Sequence, residues 1–128
     1  MLGGFVTQAQ EMSKADYCRF FEKNMQEVGW TGAYVDYTSD ILQITIPLET
    51  ITKIMNEVKR GYYTNSNVRA NLEEDEKGFM NTMQKGMVNE LSKVKGIFNG
   101  IGFYRVQVFI EDDFVHSFKK YKSNPVKF

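Results

Sequence analysis

The chain has 128 residues, with 16 basic and 16 acidic side chains, 42% hydrophobic and 14% aromatic residues, the composition of one globular domain that needs no metal or disulfide to fold. Zero net charge removes the general phosphate affinity of a basic nucleic-acid binder. A single cysteine, Cys18, and a single histidine, His116, leave no intrachain disulfide and no Cys/His zinc set, and no apolar run approaches the roughly 18 to 20 residues of a membrane span.

The first residues, Met1 to Gln8, lack the positive and apolar regions of a signal peptide. Residues 1–12 have no clear period and are expected to be flexible, with Thr7 to Gln10 able to begin a frayed turn. A complete chain of this kind reads as cytoplasmic, and one that has lost a leader as extracytoplasmic. Twelve Lys against four Arg, and nine Asn against four Ala, is the bias of AT-rich codons and points to a low-GC bacterium or its mobile elements.

Ser13 to Asp16 reads as a capping box, with Met12 and Tyr17 at the positions of a hydrophobic staple. Tyr17, Phe20, Phe21, Met25 and Val28 recur at helical spacing and Gly29 supplies the stop, which predicts a helix over 14–28. Residues 33–38 and 41–46, broken by Ser39 and Asp40, predict a hairpin whose Leu42, Ile44 and Ile46 alternate with polar neighbours. Pro47 fits the first turn of a second helix with Ile51, Ile54, Met55 and Val58 as its stripe, ending before Gly61. Residues 61–71 read as a long polar loop.

A second capping pattern at Asn71 to Glu74 starts the longest predicted helix, whose stripe runs Leu72, Phe79, Met83, Met87, Leu91 and Val94 to a stop at Gly96. Gly78 and Gly86 inside it suggest a close approach or a bend. Residues 96–102 read as a turn and 103–110 as a strand. Glu111, Asp112 and Asp113 are expected to make the turn into a last strand over 114–121, with a polar, flexible tail from Ser123. The order α-β-β-α-α-β-β predicts an α+β domain spanning 1–128, an antiparallel sheet of about four strands packed on one face by three helices. That plan resembles small cystatin-like and nuclear-transport-factor-like cones.

No residue set carries convincing catalytic chemistry. Gly96, Gly100 and Gly102 lie between a helix and a strand, the reverse of a phosphate loop. Cys18 falls on the flank of its helix and reads as a half-buried structural thiol, and His116 sits among aromatics; a nucleophilic pair would require these two to meet. The acidic runs read as a hairpin tip and as a favourable helix N-terminus. No cofactor and no metal site are expected.

The zero net charge is nevertheless segregated. Lys59, Arg60 and Arg69 bracket Tyr62 and Tyr63 with no acid between them, while Lys119, Lys120, Lys122 and Lys127 follow the last acidic residue. Basic residues with exposed aromatics suit an acidic protein surface. The leading expectation is therefore a non-enzymatic interaction or assembly module that uses this loop, or an exposed sheet edge, on a protein partner or on a second copy. Nucleic acid is disfavoured by the charge balance. The alternative is a small apolar ligand held in a cavity lined by Tyr34, Tyr37, Met80 and Met83.

Overall fold

Helix α1 (Lys14–Glu27) begins at Ser13, whose hydroxyl accepts the Asp16 N–H at 3.1 Å. It ends at Gly29 with φ 108°, and the Trp30 N–H turns back to the Met25 carbonyl at 3.0 Å. The computed structural model describes residues 12–114 and 117–128; the turn expected from Thr7, and His116 with its conjectured approach to Cys18, lie outside them. Tyr17, Cys18 and Met25 of α1 are buried, whereas Val28, expected on the buried stripe, is 76% exposed.

Strands β1 (Tyr34–Thr38) and β2 (Ile41–Pro47) form the expected hairpin, with Ser39 in the left-handed turn conformation. β1 is an edge strand, and α1 runs along it. The Val35 N–H donates to Glu22 Oε1 at 2.9 Å, the Val35 carbonyl accepts from Arg19 Nη2, and Gln26 Nε2 donates to the Ala33 carbonyl at 2.9 Å. Three side chains thus occupy backbone groups that an edge strand otherwise offers to another chain.

Pro47 caps α2 (Leu48–Lys59), which stops at Arg60 in the left-handed region. The following stretch corrects the expected loop. Thr64 and Asn67 exchange hydrogen bonds in a capping box that opens α3 (Asn65–Glu74), and Val68 and Leu72, one turn apart, bury its inner face. The helix expected from Leu72 onward is broken at Asp75, which leaves the helical region and caps α4 (Glu76–Leu91) by accepting the Gly78 N–H at 3.1 Å. Gly96 does not end the helical run: a single 3₁₀ turn, Ser92–Val94, leads into α5 (Lys95–Ile101) where a turn was expected. Buried Ile97 and Phe98 hold α5 down, and Gly102 at φ 105° is the actual stop.

The sheet is mixed and mostly antiparallel. β3 (Arg105–Phe114) runs parallel to β2, with Leu42, Ile44 and Ile46 opposite Val106, Val108 and Ile110. A parallel pair needs a long crossover, which α2 to α5 supply. β4 (Ser117–Lys122) and β5 (Val126–Lys127) both lie antiparallel to the other side of β3. Phe109 faces Lys122 and Val106 faces Val126, so residues 123–125 lie opposite only 107 and 108, a bulge of one residue.

One expectation at this end is corrected. Glu111, Asp112 and Asp113 continue β3 instead of turning, because Asp112 alternates onto the inner face and is matched there by Arg69 of α3. In the tail, Ser123 is buried, and the Phe128 ring stacks on Phe98 with centroids 4.7 Å apart. One hydrophobic cluster runs from α1 through the inner sheet face to α4 and α5.

Candidate functional site

Helix α4 buries Met80, Gln84 and Met87 against the sheet. Its neighbours leave part of the adjoining flank open. Between α4 and the C-terminal half of α1 lies a cavity of about 430 Å³, lined by Phe21, Met25, Trp30, Met83, Gly86 and Leu91. Toward the N-terminal end of the same flank, between α4 and the helices α2 and α3, a second cavity of about 500 Å³ is lined by Met55, Lys59, Asn71, Asp75 and Phe79. Thr82 and Met83 line both, so the two form one groove along α4.

Of the seven methionines, Met25, Met55, Met83 and Met87 border this groove. Unbranched thioether side chains adapt to differently shaped apolar partners. Gly86 is the other notable element: a Cβ built on it meets no heavy atom within 4 Å. The glycine leaves space in the groove and is required by no contact or turn. Trp30, the sole tryptophan, closes the α1 side. Polar groups stand at the margins, Lys59 at one end and Glu90 at the other.

The basic aromatic loop abuts the Lys59 end. Asn56 clamps it, accepting the Tyr63 N–H at 2.6 Å and donating to the Tyr63 carbonyl at 3.0 Å. Tyr63 is thereby half-buried, while Tyr62 projects fully into solvent beside the exposed Lys59 and Arg60. Arg69 does not belong to this surface. It lies on α3 with its guanidinium bonded to Asp112, which raises its pKa by hydrogen bonding to the carboxylate.

The four residues expected to line one cavity are dispersed. Met83 borders the groove and Met80 is core. The Tyr34 hydroxyl donates to Glu111 Oε2 at 2.7 Å on the outer sheet face, under Lys120 Nζ at 5.5 Å from the ring centroid. Tyr37 packs edge-on against Phe103 at 5.9 Å. The residues that sequence reasoning missed are Phe21, Met25, Trp30, Met55 and Gly86. A glycine placed between Met83 and Met87 on an otherwise bulky stripe was the available signal.

Among the described residues no group of three or more His, Cys, Asp or Glu side chains is placed to hold a metal ion, and no helix is long and apolar enough to cross a membrane. Burial pushes the Cys18 thiol up to about 11, which disfavours the thiolate a nucleophile requires. Comparison of the chain with protein-family models, with curated proteins and with solved structures finds no match.

Proposed function

We propose that this chain is a non-enzymatic interaction module that receives the apolar face of an amphipathic helix from a protein partner in the α4 groove, with the Lys59–Tyr62 loop meeting acidic residues at one end of that helix. The observation that carries the reading is the continuity of the two cavities through Thr82 and Met83. From Phe79 to Leu91 the groove follows α4 for about 18 Å, the length over which a helix presents anchors at i, i+3, i+4 and i+7. Its lining of Met, Phe and Trp side chains suits varied apolar anchors, and the clamped loop offers Tyr62 and two cations at little ordering cost.

A small apolar ligand is the second reading, favoured by the 430 Å³ cavity, which falls within the roughly 300 to 1,000 Å³ of ligand sites. Gly86→Leu separates occupancy from folding. The substitution fills the open space and improves helix propensity by up to about 1 kcal/mol, so it blocks the groove without weakening the fold. Titration with amphipathic helical peptides bearing glutamates at one end is expected to shift Trp30 emission in the wild type and not in Gly86→Leu, and Lys59→Glu is expected to weaken binding. Emission that responds only to a small apolar dye selects the ligand reading; emission indifferent to both removes the groove as a site.

A further inference from the structure

The two edges of the sheet are treated differently. At β1, Arg19, Glu22 and Gln26 occupy the outward backbone groups of Ala33 and Val35. At β4 no helix plays that part among the described residues. The Ser123 N–H donates to the Val108 carbonyl at 2.9 Å, and alternation along the antiparallel register from that point turns the N–H and C=O of Phe118, Lys120 and Lys122 away from β3. None of these outward groups has a backbone partner among the described residues.

The side chains along this edge are not neutral. Lys119, Lys120 and Lys122 are exposed, and Phe118 is 61% exposed. Lysines on an edge discourage pairing with another copy, because identical strands would set like charges against each other. They do not discourage an acidic strand. On the outer face Lys120 Nζ lies over the Phe109 and Tyr34 rings, at 4.8 and 5.5 Å, and donates to the Tyr34 hydroxyl at 3.3 Å. This side chain therefore leans across β3, while among the described residues those of Lys119 and Lys122 have no such contact to β1.

We propose that the β4 edge is a second interaction surface, which adds an extended acidic segment of a partner protein as a further strand. The backbone of Phe118, Lys120 and Lys122 supplies the ladder. Acidic residues at alternate positions of the incoming strand lie on the face that carries Lys120 and Lys122. This surface is independent of the α4 groove.

The test uses the full chain and a short peptide alternating glutamate with valine, followed by amide chemical shifts and hydrogen exchange. Binding is expected to protect the outward amides of Phe118, Lys120 and Lys122, and to persist in Gly86→Leu. Lys120→Ala removes the charge and keeps the outward N–H, whereas Lys120→Pro also removes the N–H, which β3 does not use. The proline variant is expected to bind about tenfold more weakly than the alanine variant. A peptide N-methylated at alternate amides, which keeps every charge, is expected not to bind. Equal binding of the methylated peptide overturns the proposal, as does equal binding of a peptide with lysine in place of glutamate. Concentration-dependent protection of the same amides without peptide overturns it in favour of pairing between two copies.

Discussion

Arg69 on α3 holds Asp112 on β3 across 43 residues of sequence, with Nε 2.5 Å from Oδ2 and Nη2 2.9 Å from Oδ1. Only 19% and 6% of the two side chains remain exposed. The pair stands at the end of an inner-face row that is otherwise Val106, Val108 and Ile110. Taking two charges out of water is repaid only by good geometry, and this two-point contact supplies it.

Removing the carboxylate takes the two-point contact from a largely buried guanidinium. Asp112→Ala is expected to cost about 3 kcal/mol in urea denaturation, because the Arg69 guanidinium keeps its burial and loses its carboxylate. The double variant Arg69→Met/Asp112→Leu is expected to recover most of that loss, since an apolar pair of similar volume avoids the desolvation. A double variant as unstable as Asp112→Ala would show that the pair matters for something other than charge compensation.

How much of this was legible in the sequence follows from the range over which each determinant acts. The Ser13 cap, the Gly29 stop and the alternation of Leu42, Ile44 and Ile46 are local, and they place α1 and the first hairpin correctly. α3 was lost because only Val68 and Leu72 of its ten residues are buried, too few for a period to stand out from an Asn-rich stretch. The acidic triplet misled for a non-local reason: the partner that allows Asp112 inside β3 lies on α3. The Met stripe of α4 was visible, but whether Met83 faces a neighbour or a groove depends on where α1 and α2 come to rest. The exposed Tyr62 was legible as a loop residue, whereas the Asn56 clamp that fixes the loop needed coordinates.

Gln84 makes the bulge at Ser123 possible. It is 4% exposed, and its Nε2 donates to the Val106 carbonyl at 3.2 Å and to the Asn124 carbonyl, bridging β3 to the connection between β4 and β5. Gln84→Leu retains much of the volume and leaves those carbonyls without this donor. The expected loss is on the order of 1 to 3 kcal/mol, with faster hydrogen exchange concentrated at Val126 and Phe128. Uniform acceleration across the sheet would argue against a local role.

Acid stability has its own determinant at the tip of the first hairpin. Arg105 reaches Asp40 through Nε at 3.0 Å and Nη2 at 2.8 Å, and this hydrogen bonding holds the Asp40 carboxyl below its ordinary value of 3.8. The folded chain binds that proton more weakly than the unfolded chain does. The contribution is therefore present above about pH 4 and disappears as pH falls through the lowered folded value. Asp40→Asn is expected to flatten the acid limb of a melting-temperature profile below pH 4, leaving its alkaline limb unchanged; an acid limb of unchanged slope would assign acid loss to other carboxylates.

At the alkaline end the sign reverses for Cys18, which is 1% exposed and whose thiol burial pushes up from 9.0 to about 11. The folded state holds this proton more tightly than the unfolded state. Its contribution is complete below pH 9 and is lost as pH rises through about 11. Burial raises the neighbouring Tyr17 as well, which extends the loss to higher pH. Urea midpoints are expected to fall across this window in the wild type and less steeply in Cys18→Ala, which costs about 1 kcal/mol at pH 7 for the missing sulfur. The same burial makes the native thiol slow toward an aromatic disulfide reagent at pH 8, with full reactivity on unfolding. Rapid labelling of the folded protein, or an alkaline slope identical in Cys18→Ala, would place Cys18 outside the core and remove it from the account of alkaline stability.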